Sequence, residues 1–389
     1  MRINTLYVII KIVERCNLNC SYCYYYAPEN ADVYLRPAKM SVELLDRLID
    51  YIAEAFDSTE IGGVVFAFHG GEPTLAKADA IREFCDTARR KLVDRAKSVA
   101  FAIQTNGVFI SDAWLKLIHD HEIHVGVSLD GDRESHDQYR VDHRGRGSYD
   151  RIRVNIEKLK TVATQSRVNL AALTVMEPAF KGLDYYRHMV DEIGLRDLKP
   201  LFPDCTFDNP PPAEDATRLG RSLCDIFDHW LLHDRNRVRV LLFEDAVRNV
   251  MLAPLERTPH TDEVTLGCAV LSDGRVLISD DFMPPAEWFA GQQRHTVFDS
   301  SFADWFSQPH VKQALRAKSE VPTGCRACPH ANSCRGGEIP HRYSKARGFD
   351  NPSAHCTTLK MLYDHIAMRL GSGKAEVERT KALKRVETA

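Results

Sequence analysis

No stretch of this 389-residue chain approaches the roughly 18 consecutive apolar residues that a membrane-spanning helix needs. Opposite charges nearly cancel: 51 Lys and Arg against 54 Asp and Glu leave a formal net charge of −3. That balance excludes the basic footprint of a nucleic-acid binder and strong attraction to an anionic membrane. Residues 1–5 lead into a strand-like segment without the charged-then-apolar pattern of a secretory signal, so a cytoplasmic location is expected. No internal repeat is present, so the chain is not an array of like units. With 44% apolar and 27% charged residues, the composition is that of an ordinary globular protein, long enough for two or three domains.

Cysteine is the residue whose placement is informative. Eleven are present. In a small secreted protein they would suggest disulfides, but in a large chain with no export signal clustered cysteines point to metal. Three lie in the run Arg15-Cys16-Asn17-Leu18-Asn19-Cys20-Ser21-Tyr22-Cys23-Tyr24, just after an apolar segment. Tetrahedral zinc closes with four ligands, and a ferredoxin-type cluster takes four cysteines. Three thiolates would leave one corner of an iron–sulfur cluster open to something that is not protein. A zinc site or chance spacing is the competing reading of the triad alone. A second set, Cys325-x₂-Cys328-x₅-Cys334 with Cys356 beyond, makes four thiols, as a closed cluster or a structural zinc requires. Cys85 and Cys224, in helical surroundings, read as small buried apolar residues. Cys205 lies in a Pro- and Asp-rich loop and is given no role.

Short apolar runs at 6–13, 63–69, 99–104, 124–129, 169–175 and 197–201 read as six strands. Helical patterns at 78–97, 111–121, 149–162 and 183–193 fall between them, as does a stripe of Leu44, Leu45, Leu48, Ile49 and Ile52 behind a Ser41 cap. Alternation of this kind predicts βαβ units and a parallel sheet, curled by right-handed crossovers into a barrel or part-barrel. Such barrels carry their chemistry on the loops leaving the C-terminal strand ends. The cysteine loop, His69-Gly70-Gly71-Glu72-Pro73, Gln104-Thr105-Asn106-Gly107 and Ser128-Leu129-Asp130-Gly131 all fall there. The expected division is a barrel over 1–202, a helical bridge over 203–262 that opens in a proline-rich loop, a cysteine-rich domain over 263–371 and an exposed or frayed charged tail over 372–389.

Taken together, the triad, Gly70-Gly71-Glu72-Pro73 and the C-terminal cysteines resemble the radical S-adenosylmethionine superfamily, in the branch with a SPASM-type extension. The chain is similar to maturases that form three-residue cyclophanes in ribosomally made precursor peptides, and to the anaerobic sulfatase-maturating enzymes. The matching motifs run from about Cys16 to Cys356. This resemblance implies an α/β fold, a (β/α)₆ partial TIM barrel with a C-terminal SPASM-like iron–sulfur domain. It implies that Cys16, Cys20 and Cys23 hold a [4Fe-4S] cluster whose open iron binds S-adenosylmethionine. It further implies that Tyr22 packs near the adenine and that Gly70, Gly71 and Glu72 bind the methionyl ammonium. Ser128 and Asp130 would bind the nucleoside, Arg140 the methionyl carboxylate, and Leu201 the adenine. The same residues have plainer readings: a tight turn at the glycines, packing for Tyr24, Tyr25 and Tyr26, a solvated loop around Arg144 and Arg146, and a core leucine at Leu201.

The resemblance also makes Cys325, Cys328, Cys334 and Cys356 the ligands of an auxiliary [4Fe-4S] cluster. A full SPASM domain holds two such clusters. The first would draw on Cys268, a cysteine within 277–280 and another four positions after Cys334, where this chain has Ser279 and Glu338. Ser, Asp and Glu replace soft sulfur ligands poorly, so one auxiliary cluster is expected. Asp280 falls where the sulfatase-maturating enzymes have a catalytic aspartate and is the expected base, with turn capping as its plainer reading. Residues 335–343 and 348–353 are similar to the cyclophane-forming maturases. The implied reaction begins when the 5′-deoxyadenosyl radical takes a β-hydrogen from a precursor-peptide residue. The carbon radical adds to an aromatic ring, an electron leaves for the auxiliary cluster, and a base removes the ring proton. Expected partners are the precursor peptide and an electron donor such as flavodoxin or ferredoxin, with neither nucleic acid nor membrane. With the first strand at the start of the chain, leader recognition is expected from the barrel edge, the C-terminal region or a separate protein. Formylglycine formation in a sulfatase and a non-catalytic iron–sulfur scaffold are the alternatives.

Overall fold

The computed structural model describes residues 2–178, 180–253, 263–291 and 294–387. Its strands are β1 (Arg2–Val13), β2 (Ile61–Gly70), β3 (Ser98–Thr105), β4 (His124–Ser128), β5 (Leu170–Val175), β6 (Asp197–Leu201), β7 (Arg239–Val240), β8 (Glu263–Val270) and β9 (Val276–Ile278). They form one nine-stranded sheet in the order β7-β6-β5-β4-β3-β2-β1-β8-β9. Neighbours from β7 through β8 pair in parallel, and β9 alone is antiparallel, against β8. The six strands expected from the sequence lie side by side in chain order, as successive βαβ units require. The sheet is curled. Lys199 on β6 and Asp281 just after β9, near opposite ends of the strand order, come close enough for the lysine to bias the titration of the carboxyl.

Side chains on β1 alternate between its two faces, both covered from Val8 onward, and this fixes the site. Val8, Ile10 and Ile12 pack outward into the larger core with the helices Val42–Ser58 and Ala78–Leu92. Lys11 points the other way and is fully buried. Helix Val42–Ser58 begins as expected, with Ser41 accepting a hydrogen bond from the Leu44 N–H at 3.1 Å. Its stripe of Leu44, Leu45, Leu48, Ile49 and Ile52 is buried throughout. A second core behind β4, β5 and β6 includes Phe227 and Trp230 from the bridge and Leu362 and Ile366 from the last helix, Cys356–Glu387.

Several elements differ from the expected ones. β8 extends the sheet beside β1, so the segment assigned to the C-terminal domain begins inside the barrel sheet. Its sequence, Glu-Val-Thr-Leu-Gly-Cys-Ala-Val, is a weak strand former on its own, and the edge of β1 supplies the pairing that decides it. The short helix Arg133–Tyr139 has no apolar stripe to announce it. An Asp132 cap holds its start, accepting from the Ser135 N–H at 2.9 Å. The run expected as a single helix at 183–193 ends in a π-helical turn, His188–Glu192, and the helix Ala213–His229 of the bridge likewise runs into one, Trp230–Asp234. Helices Phe302–Ser307 and Pro309–Ser319 were not foreseen, although Ser301 and Asp304 form a clear capping box. The backbone is helical to Glu387, through most of the stretch read as a frayed tail. The end of the expected bridge, 254–262, lies outside the described residues. No helix among the described residues is long and apolar enough to cross a membrane.

The two faces of helix Val42–Ser58 should respond differently to truncation. Leu48→Ala empties a fully buried position and should lower unfolding free energy by about 2–5 kcal/mol. Val42→Ala, on the exposed face, should change it by less than about 0.5 kcal/mol. Denaturant unfolding of the two variants measures the contrast.

Candidate active site

The loop leaving β1 places Cys16, Cys20 and Cys23 together at the C-terminal edge of the sheet, close enough that each thiol raises the Cys16 pKa. Burial is the larger cause and pushes Cys16 up to about 12, and it pushes Cys20 up to about 11. Ligation of a metal must therefore displace protons. The Leu18 N–H and the Asn106 side-chain amide both donate to the Cys16 sulfur, at 3.4 and 3.5 Å. Three thiols with sulfur-directed N–H donors and no fourth cysteine fit a cluster with one open iron.

The glycines of Gly70-Gly71-Glu72-Pro73 are required, but the close approach is made by the end of β1. Gly70 has φ +136°, and a Cβ there would lie 2.1 Å from the Val13 carbonyl oxygen. One on Gly71 would lie 2.3 Å from the Arg15 carbonyl oxygen. Glu72 is fully buried and accepts four hydrogen bonds: from the Thr74 N–H and hydroxyl, the Thr105 hydroxyl and the Asn106 N–H. Its carboxylate therefore ties the loop after β2 to the loop after β3, a role the motif alone did not indicate. The Gln104-Thr105-Asn106-Gly107 motif supplies two of its partners.

Tyr22, Asp130 and Arg140 come together beside Cys20. Asp130 accepts from Arg140 Nε at 2.6 Å and from the Tyr22 hydroxyl at 2.5 Å, and the guanidinium lies 5.3 Å from the Tyr22 ring centre. Burial alone would lower the arginine pKa, but the Asp130 charge outweighs it and holds the guanidinium firmly protonated. A second network fixes this pair. The buried His136 accepts from the Asp130 N–H at Nδ1 and meets the Ser148 hydroxyl at Nε2, and that hydroxyl donates to the Arg140 carbonyl. Ser128 stands apart, accepting from the Gln104 amide at 3.0 Å. Leu201 shares the face of Lys199 on β6, opposite Leu198, which packs in the second core. Leu201 itself is not part of that core.

Asp280 opens the turn Asp280–Phe282 after β9, whose cap is Ser279. Its side chain turns inward and is buried. Oδ2 accepts from the Lys11 ammonium and from the Tyr24 hydroxyl, the latter at 2.7 Å, while Oδ1 has no protein partner among the described residues. Burial alone would raise this carboxyl. The Lys11 ammonium, with His69 and the Tyr24 hydrogen bond, overcomes that and holds it well below the usual carboxylate range. Lys11 also lies 3.2 Å from His69 Nδ1. Neither Lys11 nor His69 was singled out from the sequence. The available signal was one lysine inside Val-Ile-Ile-Lys-Ile-Val, a charge that an all-apolar strand does not need. Burial and the Asp280 charge push the neighbouring Asp281 up to about 6. Asp204, in the loop after β6, is pushed up to about 7 by burial and then by Asp281. That loop, the loop after β5 and the helix Ala213–His229 enclose a cleft of about 330 Å³, lined in part by Glu177, Asp204, Cys205 and His355.

Cys325, Cys328, Cys334 and Cys356 line a single cavity at the start of the last helix. Among the described residues no three His, Cys, Asp or Glu side chains converge on one point as ligands of a single ion. Four soft thiols spread around a cavity fit a multi-iron cluster. Cys268 takes no part. It is fully buried in the apolar core with Val8 and Ile278, and burial alone pushes it up to about 12. Cys85 is likewise fully buried in that core, as expected, whereas Cys224 is only half-buried.

A model of the radical SAM superfamily matches residues 10–173. The cysteine-type anaerobic sulfatase-maturating enzyme of Clostridium novyi is 36% identical over 363 residues, covering 90% of this chain and 92% of that enzyme. Among solved structures, anSMEcpe with bound AdoMet superposes with a TM-score of 0.78 at 21% identity, over 96% of this chain and 100% of its own. SuiB of Streptococcus suis, bound to the precursor peptide SuiA, superposes with a TM-score of 0.61 at 16% identity, over 91% of this chain and 76% of its own. At those identities the two structures speak for the fold.

Two measurements follow from this geometry. Anaerobic reconstitution should give about eight irons per chain, one cluster at each set of thiols, and Cys268→Ala should leave that count unchanged. A count near twelve would require a third cluster. Carbon NMR of labelled aspartates should show two carboxyls charging as pH rises, Asp281 near 6 and Asp204 near 7, while Asp280 stays ionised throughout. The site thus gains negative charge between pH 5 and 8, and a midpoint for Asp280 in that window would contradict its pairing with Lys11.

Proposed function

The chain belongs to the radical SAM superfamily, and from that premise we propose that it is a peptide maturase that crosslinks a ribosomally made precursor, joining a side-chain β-carbon to an aromatic ring. Bound at Cys16, Cys20 and Cys23, a [4Fe-4S] cluster with S-adenosylmethionine supplies the 5′-deoxyadenosyl radical that such chemistry needs. The remaining work falls to this chain's own groups. The Gly70-Gly71 turn and the loop tied by Glu72 offer backbone groups to the methionyl end. Asp130 and Arg140 offer an acceptor and a bidentate donor to the nucleoside and the carboxylate. Ser128, Tyr22 and Leu201 complete the proposed contacts. Cys325, Cys328, Cys334 and Cys356 hold one auxiliary cluster.

The observation that carries the reading is the state of Asp280. A buried carboxylate kept ionised, with Oδ2 fixed by Lys11 and Tyr24 and Oδ1 free, is a base aimed at one place. It would accept at Oδ1 the proton released when the crosslinked ring regains aromaticity. The cleft between the loops after β5 and β6 suits an extended peptide. Crosslinking is preferred over aldehyde formation because of residues 335–343 and 348–353, and because the ligand positions of a first auxiliary cluster hold a core thiol, Ser279 and Glu338. Formylglycine formation is the second reading, favoured by the 36% identity to the Clostridium novyi enzyme over most of both chains. A low-potential electron donor such as flavodoxin or ferredoxin, and a separate leader-recognition protein, complete the proposed partners.

Co-expression with any short reading frame found beside the gene, followed by mass spectrometry, tests this. A crosslink removes two hydrogens from the peptide, and so does oxidation of a serine to formylglycine. Tandem fragmentation and an aldehyde-trapping reagent separate the two. A product without aldehyde whose ring-to-Cβ loop resists fragmentation supports crosslinking, and a trapped aldehyde supports the second reading. Asp280→Asn should lower product formation by about 10²-fold or more. Unmodified peptide alongside 5′-deoxyadenosine formation would defeat the crosslinking reading.

A further inference from the structure

We infer that Lys11 is the positioning residue of this site: its buried ammonium grips Asp280 by Oδ2 and His69 by Nδ1, so that the lumen is offered one acceptor, Asp280 Oδ1, and one donor, His69 Nε2–H, the donor being directed at a carbonyl oxygen of the bound peptide. Only the identity of that ligand rests on the peptide-maturase reading. The arrangement of Lys11 rests on geometry.

An ammonium inside a protein is costly unless each of its protons is engaged. Lys11 is fully buried, with two hydrogen-bond partners and an aromatic face beside its ammonium. One proton goes to Asp280 Oδ2 and one toward His69 Nδ1 at 3.2 Å, and the ammonium lies 4.3 Å from the centre of the Tyr25 ring. His69 Nδ1 also receives the Gly70 N–H at 2.8 Å. Two donors directed at one ring nitrogen require its lone pair there, which assigns the ring proton to Nε2. Nε2 has no hydrogen bond to the described residues, and His69 is partly open to the lumen, on the opposite face of β2 from the buried Phe68. Burial, followed by the Lys11 charge, brings the imidazole down to about 4, so it stays neutral at pH 7 and donates without adding a second cation.

Several charged and titratable groups surround this pair. Tyr7, Tyr24, Tyr25, Asp204 and Asp281 interact with Asp280, Lys199 of β6 acts on both His69 and Asp281, and Glu338 acts on Asp281. None of them replaces Lys11, because among the described residues only Lys11 meets both Asp280 and His69 in the hydrogen bonds of this site. A fixed N–H donor and a fixed carboxylate on one anchor set where a peptide carbonyl stops relative to the base. Tyr24, next in sequence to Cys23, bonds to the same Asp280 oxygen, so the anchor is also referenced to the cysteine loop.

The test uses reconstituted holoenzyme with S-adenosylmethionine: wild type, Lys11→Arg, Lys11→Met, and Lys11→Met combined with Asp280→Asn. The first readout is the thermal midpoint against pH. In wild type, Asp280 is charged and paired, and its stabilisation is fully present above the unfolded pKa of about 4. In Lys11→Met the buried carboxylate has no counter-charge, its folded pKa rises, and stability is lost as pH climbs from about 4 toward that value. The gap between the two proteins should therefore widen from pH 5 to 8, and adding Asp280→Asn should close it. A gap independent of pH would overturn the grip on Asp280, and because the double variant carries no lone charge, poor folding of Lys11→Met does not block the comparison.

The second readout is modification of His69 by diethyl pyrocarbonate, followed by mass spectrometry. It should be slow in wild type and Lys11→Arg, and at least tenfold faster in the double variant, where Lys11 no longer covers Nδ1. Equal rates would overturn the assignment of His69. Finally, His69→Leu should lower kcat/KM for the modified peptide by at least tenfold, and His69→Gln, which keeps an N–H donor, should recover part of it. If no peptide is modified by wild type, the maturase reading falls, and the first two readouts still decide the role of Lys11.

Discussion

A single buried ion pair joins parts of the chain that lie far apart in sequence. Lys11 sits on β1, in the interior of the sheet order, and Asp280 follows β9 at its edge. Neither charge is tolerable in that interior alone, and together they hold the C-terminal segment against the lumen. Removing one partner of such a pair typically costs about 3–5 kcal/mol, because the other is left unpaired. Tyr24 bonds to the same carboxylate and follows the third cysteine of the triad. The cysteine loop, β1 and the C-terminal region therefore share one electrostatic joint.

Around that joint the loops at the strand ends hold one another more than they wait for ligands. Gly70 and Gly71 are glycines because the backbone of Val13 and Arg15 passes where a Cβ would sit. Glu72 spends its carboxylate on Thr74, Thr105 and Asn106. Asp130 and Arg140 pair with each other and are backed by His136 and Ser148. A cofactor arriving here meets groups already oriented, which lowers the entropic cost of binding it.

Much of this was legible in the sequence because the signals were local. Six apolar runs of strand length, the Ser41 cap with its helical stripe, and cysteines a few positions apart each have short-range causes. β8 was not legible. A stretch with glycine and cysteine becomes a strand only because β1 has a free edge beside it, which is tertiary information. The helix Arg133–Tyr139 was missed because caps rather than an apolar face define it. At the site, the loops that leave the strands were legible, but the partnerships of their side chains were not. The resemblance singles out Asp280 at its place after β9. That it is held there by Lys11, with His69 on the same ammonium, depends on two strands and a distant turn meeting.

The placement of β8 beside β1 has a consequence for synthesis. β1 emerges from the ribosome well before β8, so its second edge finds no partner until residues 263–270 follow. At about 5–20 residues per second, that delay is roughly 10–50 s. For all of it an apolar strand presents an open row of backbone donors and acceptors, the feature that invites pairing with another chain. Lys11 lies just past the last pair of that row, toward the C-terminal end of the strand, with its partner not yet made, so it must stay hydrated. A lysine is among the residues that blunt an exposed edge. The residue that anchors the finished site thus also serves, while the chain is incomplete, as a guard against aggregation.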